Sequence, residues 1–359
     1  MKMIPEKLQE VGYYTVQCGK WHLGLAQQAF TPAGRGFNES LTMLAGSENH
    51  FDQRDGLSLA GQRSIKHVDL WATDQPALGH NGTYSAELFG SYAVDAIRSH
   101  HNSRRGQPLF MYIAFTITHS PEQAPQRFID LYPVSWLEGR RTYLGMASAL
   151  DEAVRNVTDA LKATDMWKSS LVVFSSDNGG PSLVGGSSFA NNYPLRGGKG
   201  NAFEGGTRVL TLVSGGLIPT SQFHRKLPTS GHVHFADWYA TFCELSGHAE
   251  CMDAPGGGVP STESHNMWPL LFGQTDASPR TETVLEYRLG KDNFDGALLQ
   301  GDLNTLSAGR RAPATGGVPS TPTRRPSCQW TRLAARQAAC TTSPLTRPSI
   351  TTSRPCTQT

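Results

Sequence analysis

Three side chains with complementary chemistry follow one short apolar segment of the sequence. Residues 171–174 read Leu-Val-Val-Phe, a run typical of a buried strand. Asp177 and Asn178 come shortly after it, and Lys199 lies in the glycine-rich segment 196–200. Carboxylate and amide oxygens suit Ca²⁺ or Mg²⁺, and a nearby lysine adds a positive charge that can hold an anion. An ordinary strand end followed by an Asp-Asn-Gly turn is the structural alternative.

A second segment combines an ammonium and an imidazole group. Residues 12–24 read as a strand that runs into a glycine-flanked turn, with Lys20 and His22 two positions apart. In an extended segment, residues i and i+2 point to the same side. The spacing therefore predicts that these two side chains converge on one spot.

Four motifs in this order resemble the type I sulfatases. They are Gly-Lys-Trp-His-Leu-Gly at 19–24, Thr-His-Ser-Pro at 118–121, Ser-Asp-Asn-Gly-Gly at 176–180, and Leu-Arg-Gly-Gly-Lys at 195–199 with Phe-Glu-Gly-Gly-Thr-Arg at 203–208. The spacing is most similar to the arylsulfatase B branch of the alkaline phosphatase superfamily. The resemblance covers residues 5–300 and implies a sulfuric ester hydrolase that acts on an aryl or sugar sulfate.

The resemblance also implies a set of site residues. The catalytic residues are Lys20, His22, His119 and Lys199. Substrate contacts come from Lys20, His119 and Lys199, and the ligands for Ca²⁺, or alternatively Mg²⁺, are Asp177 and Asn178. The two lysines would hold sulfate oxygens, and His22 would bind the hydroxyl of a formylglycine nucleophile.

His119 would donate a proton to the leaving alcohol or hold the sulfate. An isolated histidine is more often a hydrogen-bonded core residue, but the motif around His119 favours the site. We expect Arg196 and Arg208 to brace their loop. Four histidines have no predicted role and are expected at the surface: His50, His80, His100 and His101.

Two parts of the family pattern have no counterpart in this sequence. One is a first strand that ends in paired aspartates, and the other is the Cys-x-Pro/Ala-x-Arg motif that yields formylglycine. The segment 328–332 has the Cys-to-Arg spacing but carries tryptophan in place of Pro or Ala. We therefore expect an N-terminally truncated fragment that is inactive alone. The alternatives are a catalytically dead sulfatase-like protein that binds sulfated glycans, a phosphoester hydrolase of the same superfamily, and an incomplete gene model.

Helical and strand patterns alternate through residues 1–300. Helices are predicted over 85–99, 143–163 and 233–246, and strands over 109–116, 171–176 and 209–213. Strands separated by helices predict an α/β fold of the alkaline phosphatase type, with a mainly parallel sheet and helices on both faces. Residues 44–80 and 179–206 are expected to be site-forming loops. The domain prediction is a catalytic domain at 1–300 without its N-terminal portion, and a small C-terminal domain that is largely missing.

The last part of the chain differs in composition. Residues 303–359 contain eight Arg but no Lys, Asp or Glu. We expect residues 301–359 to be disordered, since they hold too little apolar surface to offset chain entropy. Out-of-frame translation accounts for the arginine bias, and a basic arm that binds polyanions is the alternative.

Three sequons point to the secretory pathway: Asn38, Asn81 and Asn156. The complete protein is therefore expected to be glycosylated and lysosomal or secreted, although no apolar leader lies near Met1. Cys243 and Cys251 lie close enough to pair in an oxidising compartment, or they are two thiols. The sequence has no apolar run long enough for a membrane span, and no nucleic-acid partner is expected.

Overall fold

A computed structural model of the chain describes residues 1–57, 65–181, 188–222, 226–227, 232–248, 251, 262–289, 293–301 and 303–310. These residues form a mixed α/β fold with a central, mainly parallel sheet, which confirms the predicted fold class. In the described part of the chain, no helix is both long and apolar enough to cross a membrane.

The elements are named in chain order. The strands are β1 (Tyr14–Lys20), β2 (Glu39–Met43), β3 (Arg54–Leu57), β4 (Ile65–Val68), β5 (Trp71–Ala72), β6 (Gln75–Pro76), β7 (Leu109–Ala114), β8 (Val172–Ser175), β9 (Thr211–Ser214), β10 (Glu282–Leu289), β11 (Asn293–Gln300) and β12 (Leu303–Arg310). The helices are α1 (Ile4–Glu10), α2 (Ser85–Ser103), α3 (Gln126–Ile129), α4 (Glu138–Ala163), α5 (Glu204–Thr207), α6 (Asp237–Ser246) and α7 (Trp268–Leu271).

The central sheet has five strands in the order β6-β5-β2-β1-β7. Strand β1 pairs in parallel with β2 on one side and with β7 on the other. The five inner residues of β1 are buried because neighbouring strands and helices cover it on all sides. Strand β7 reads Leu-Phe-Met-Tyr-Ile-Ala, an apolar run typical of a parallel strand covered on both faces.

Helices cover both faces of this sheet. On one face Met111 and Ile113 of β7 pack against a core that contains Phe89 and Ala93 of α2. Phe110 points to the opposite face, because side chains alternate along a strand, and its ring lies 5.9 Å from that of Phe242 in α6. The sheet therefore forms the middle layer of three.

The predicted helices are present, each with one shifted end. The helix predicted from 85 continues to Ser103, the one predicted from 143 begins at Glu138, and the one predicted from 233 begins at Asp237. Residues 44–80 were predicted as loop, but the structure forms short strands β3 to β6 there. These strands make local antiparallel pairs, whose few residues leave a weak periodic signal.

The strands predicted over 171–176 and 209–213 form β8 and β9, which make a separate sheet. They pair antiparallel, with Val173 opposite Val213 and Phe174 opposite Leu212. Among the described residues β7 pairs only with β1 and β8 pairs only with β9. Each of these apolar strands therefore has an open edge, and both edges border one groove.

The structure corrects the start of the predicted tail. Strands β10, β11 and β12 form an antiparallel sheet, and β12 covers Leu303–Arg310. The prediction of disorder from residue 301 was wrong for this strand, because pairing with β11 supplies order that composition does not reveal. Residues 311–359 lie outside the described part of the chain, so their predicted disorder stays a prediction.

A disulfide and an ion pair link α6 to other parts of the chain. Cys243 forms a disulfide with Cys251, which decides between the pairing and the free thiols that the sequence left open. The buried Asp237 carboxylate accepts two hydrogen bonds from the Arg280 guanidinium, at 2.6 and 2.8 Å. This pair joins the first turn of α6 to the residues before β10.

Candidate active site

A groove of about 2300 Å³ brings all the predicted site residues together. It runs between the open edges of β7 and β8 and reaches the carboxyl ends of β1, β7 and β8. Its lining includes Lys20, His22, His119, Asp177, Asn178 and Lys199. This is the edge at which open α/β sheets place their ligands.

Lys20 is the last residue of β1 and is delivered by tight packing of two strands. Gly19, with φ of 92°, precedes it, and a Cβ there would lie 2.0 Å from the carbonyl oxygen of Ala114 in β7. Only glycine allows this approach. His22 lies beyond the strand with a φ of 52°. The premise that Lys20 and His22 share an extended segment was therefore wrong, although both line the groove.

Asp177 and Lys199 are brought together by main-chain hydrogen bonds between two glycine-rich loops. The amide of Gly179 donates to the carbonyl of Gly206 at 3.0 Å, and the amide of Lys199 donates to the carbonyl of Gly180 at 3.1 Å. A Cβ on Gly179 would lie 1.7 Å from the carbonyl oxygen of Gly205. Sequence-distant residues meet because the glycines allow this contact.

The loop arginines act as predicted, within the loop. Arg196 lies over the ring of Phe203 at 4.2 Å. Arg208 pairs with Glu204 at 3.2 Å, one turn away on α5. Both arginines therefore have partners that hold the segment carrying Lys199.

We call the part of the groove lined by Lys20, Asp177 and Lys199 its mouth, and the charges there act on Lys20. Burial lowers the pKa of Lys20, the Asp177 carboxylate opposes this shift, and the Lys199 ammonium adds to it. Burial and the Asp177 charge together raise the pKa of Tyr112 on β7. Lys20 is thus influenced by both the Asp177 carboxylate and the Lys199 ammonium, and these three charges sum to one positive charge, which suits an anion.

His119 lies just after β7, with one ring nitrogen already engaged. Its Nδ1 is 2.7 Å from the carbonyl oxygen of Ser120, and a carbonyl only accepts, so Nδ1 carries the proton in the neutral ring. The other nitrogen, Nε2, is free to exchange a proton with a ligand. The neighbouring Thr118 hydroxyl donates to Tyr143 on α4 at 3.1 Å.

The residues present supply only part of a divalent-cation site. Asp177 is exposed, and the Asn178 side chain donates through Nδ2 to the carbonyl of Gly179 at 3.0 Å, so its Oδ1 stays available. Two such oxygens fall short of the six to eight that Ca²⁺ takes. In the described ranges, no group of three or more His, Cys, Asp or Glu side chains could hold a metal ion.

Sequence reasoning missed two buried histidines. His50 is 1% exposed and His100 is 3% exposed, so the prediction that they lie at the surface was wrong. Each ring donates to a main-chain carbonyl, of His119 and Gln107 respectively, which compensates its burial. His80 and His101 are partly exposed. No local pattern marks a histidine whose partner is a distant carbonyl.

The three sequons differ in their surroundings. The Asn38 Oδ1 accepts hydrogen bonds from both the amide and the hydroxyl of Thr15 at 2.9 Å, beside the start of β1. Asn81 is exposed in a turn, and Asn156 is exposed in the middle of α4. Asn38 is exposed as well, so what sets it apart is its hydrogen bonding to Thr15 and not its exposure.

Comparison with known proteins decides the family. The family model described as Sulfatase matches residues 1–248. The chain belongs to the sulfatase family. It is a type I sulfatase of the alkaline phosphatase superfamily, which confirms the resemblance noted from the four motifs.

The similar relatives are longer than this chain. Arylsulfatase J of Mus musculus is 37% identical over 246 residues, which are 68% of this chain and 38% of the relative. The N-acetylgalactosamine-6-sulfatase of Mus musculus is 31% identical over 211 residues, or 57% of this chain and 38% of the relative. The chain thus spans well under half the length of either relative.

A solved structure shares the architecture of this sulfatase. The crystal structure of Ps i-CgsB in complex with k-i-k-neocarrahexaose has a TM-score of 0.68 and 28% sequence identity. The alignment covers 85% of this chain and 65% of that one. The three-layer arrangement described above is therefore that of a sulfatase.

Proposed function

We propose that this sulfatase is a sulfuric ester hydrolase and that the mouth of the groove is its sulfate site. The observation that carries the proposal is that Lys20, Asp177 and Lys199 line one groove, close enough for the charges of Asp177 and Lys199 to act on Lys20. A sulfate ester is an anion, and its sulfate group needs positively charged protein groups beside several of its oxygens during the reaction. Two lysines delivered by different loops can contact different oxygens at once.

Each site residue has a role in this proposal. Lys20 and Lys199 hold the sulfate oxygens, and His22 binds the hydroxyl of the nucleophile. In its doubly protonated, imidazolium form His119 donates a proton from Nε2 to the leaving alcohol, or holds the sulfate through that N–H, while Nδ1–H stays bonded to the Ser120 carbonyl. Asp177 and Asn178 are ligands of a cation, Ca²⁺ or Mg²⁺, which would polarise the sulfate when bound.

We further propose that this chain is the larger part of a catalytic domain whose first segment supplies what the site lacks. The groove between β7 and β8 is lined by apolar residues of both strands, including Met111, Ile113 and Val173, and it offers two open edges. A further parallel strand fits between such edges. Its carboxyl end would reach the site, where the nucleophile, a formylglycine, and more cation ligands are needed.

The relatives support a class of substrate, and the disulfide and the sequons support a cellular compartment. The neighbouring structure holds a neocarrahexaose, a saccharide, and one relative is named for N-acetylgalactosamine-6-sulfate chemistry. We propose a sulfated sugar or an aryl sulfate as substrate. The Cys243–Cys251 disulfide and the exposed sequons at Asn81 and Asn156 support a lysosomal or secreted protein.

The test uses an extended enzyme, defined as this chain preceded by a family-type first segment that carries the Cys-x-Pro-x-Arg motif. With its cysteine converted to formylglycine, it should hydrolyse a nitrophenyl sulfate, whereas residues 1–359 alone should show no measurable turnover. Absence of turnover combined with tight binding of a sulfated oligosaccharide would indicate the non-catalytic glycan-binding alternative. Faster hydrolysis of a phosphate ester than of the sulfate would indicate the phosphoester branch.

A further inference from the structure

The ring of His50 contacts the main chain of His119 from inside the protein. His50 lies in the loop after β2 and is 1% exposed. Its Nε2 is 2.9 Å from the carbonyl oxygen of His119. Because a carbonyl oxygen only accepts hydrogen bonds, Nε2 of His50 must carry the proton.

The same histidine is fixed on its other sides. Its amide donates to Oε1 of Gln123 at 2.9 Å, and the Tyr84 hydroxyl donates to the main-chain carbonyl of Gln123 at 2.8 Å. The carbonyl of His50 accepts from the amide and the hydroxyl of Ser85, in the first turn of α2, at 2.8 and 3.0 Å. The segment 119–123 is thus tied at three points to His50 and the start of α2.

This attachment controls where the ring of His119 can point. Nδ1 of His119 is bonded to the carbonyl of Ser120, so the ring orientation follows the main chain of residues 119–120. His119 lines the groove, and its Nε2 has no hydrogen-bond partner among the described residues. Holding the carbonyl of His119 therefore aligns the one nitrogen that can exchange a proton with a ligand.

The arrangement requires a neutral His50. Its Nδ1 has no hydrogen-bond partner among the described residues. A second proton there would be buried and unpaired, which is costly. Burial and the neighbouring His119 both lower the pKa of His50, while the hydrogen bond to the carbonyl works in the opposite direction.

We propose that His50 is a positioning residue for His119: its Nε2–H holds the His119 carbonyl so that His119 Nε2 is aligned for proton transfer to the leaving group. This inference rests on the proposed role of His119. His50 thus affects proton transfer through His119 without touching the substrate.

The test compares variants of the extended enzyme. His50→Phe keeps a ring but removes the donor, whereas His50→Gln keeps an N–H near the position of Nε2. His100→Phe is the matched control, since His100 is also buried and its Nε2 also lies near a main-chain carbonyl, that of Gln107 at 2.8 Å. His119→Ala sets the effect expected when the acid itself is lost.

His50→Phe should lower kcat roughly ten-fold for an alkyl or sugar sulfate, with a smaller loss for nitrophenyl sulfate, since only a poor leaving group depends on the proton. KM should change little. His50→Gln should restore most of the activity, and His100→Phe should leave both substrates unaffected. Equal losses for both substrates, or no recovery in His50→Gln, would overturn the proposal.

Hydrogen exchange separates this proposal from the role of His119. The amides of residues 117–120 should exchange about ten-fold faster in His50→Phe than in the wild type or in His100→Phe. Unchanged exchange would overturn the positioning role even if turnover fell. If His119→Ala affected both substrates equally while exchange accelerated as expected, the acid role of His119 would be wrong and the attachment by His50 would stand.

Discussion

The two sides of the groove hold their site residues by different means. The β1–β7 side carries Lys20, His22 and His119, and it is a buried parallel sheet whose loops are tied by side chains such as His50 and Gln123. The β8–β9 side carries Asp177, Asn178 and Lys199 on loops tied by close contacts between glycine main chains and by the side chain of Asn192.

This difference predicts which amino-acid substitutions each side of the groove tolerates. On the β1–β7 side a side-chain substitution removes a hydrogen bond but leaves the sheet in place. On the β8–β9 side the geometry depends on the absence of Cβ atoms, as at Gly179, so a single methyl group displaces the loop. The loops of the β8–β9 side should therefore be sensitive to glycine substitutions, as the sheet itself is at Gly19, whereas the loops of the β1–β7 side should be more sensitive to the loss of polar groups.

The largest expected effect tests the charge that the β8–β9 side contributes. Lys199→Ala in the extended enzyme should lower kcat by about 10²–10³, because one electrostatic partner of the sulfate is lost in the transition state. Thermal unfolding should be almost unchanged. The control is Lys168→Ala, since the Lys168 side chain is 83% exposed and pairs with Asp165. Similar rates for the two variants would mean that Lys199 does not contact the sulfate.

A glycine pair tests the main-chain basis of the β8–β9 side. Gly179→Ala should lower turnover by more than ten-fold, because its new methyl group would displace the loop from the Gly205 carbonyl, which lies 1.7 Å from the Cβ position. Gly106→Ala is the control, since Gly106 has a φ of 90° and open space around it. The control should lose about 1 kcal/mol of stability without loss of turnover. Wild-type kinetics in Gly179→Ala would contradict this account of the loop.

Glu48 allows a stability test of the β1–β7 side. It is 3% exposed, and the Thr116 and Ser85 hydroxyls oppose the effect of its burial on the pKa only in part. Burial raises its pKa from 4.5 to about 7. The folded state therefore binds the proton more tightly than the unfolded state, so this stability is complete below pH 4.5 and is lost as the pH rises through 7.

The unfolding free energy should accordingly fall by roughly 3 kcal/mol between these pH values because of this group. Glu48→Gln should remove that decline, whereas Glu138→Gln at the exposed start of α4 should retain it. Chemical unfolding at pH 4.5 and pH 8 measures both. A decline of equal size in Glu48→Gln would assign the pH dependence to other groups.

The smallest effect concerns glycosylation of the expressed protein. Asn81, exposed in a turn, should carry a glycan at higher occupancy than Asn38, whose Oδ1 is engaged by Thr15 on the β1–β7 side. Glycopeptide mass spectrometry of secreted protein gives the occupancy of each site. Full occupancy at Asn38 would show that its hydrogen bonds form after modification or are readily exchanged.

The sequence by itself determined the family and the fold class, and it predicted six site residues that all line one groove. Motifs such as Gly-Lys-Trp-His-Leu-Gly and Ser-Asp-Asn-Gly-Gly are local. Helix α2 has a strong helical period and strand β7 is a continuous apolar run, so each can be recognised from its own short segment of sequence. The proximity of Lys199 to Asp177 was also inferred from the residues of these two segments, and the resemblance supported it.

The tertiary structure decided what depends on contacts between distant segments. It separated β8 and β9 from the five-stranded sheet, extended the order to Arg310, and buried His50 against the carbonyl of His119. Each outcome depends on a hydrogen-bonding partner supplied by a strand or loop elsewhere in the chain. Composition and periodicity report what a segment prefers, but they do not specify which main-chain group will lie opposite it.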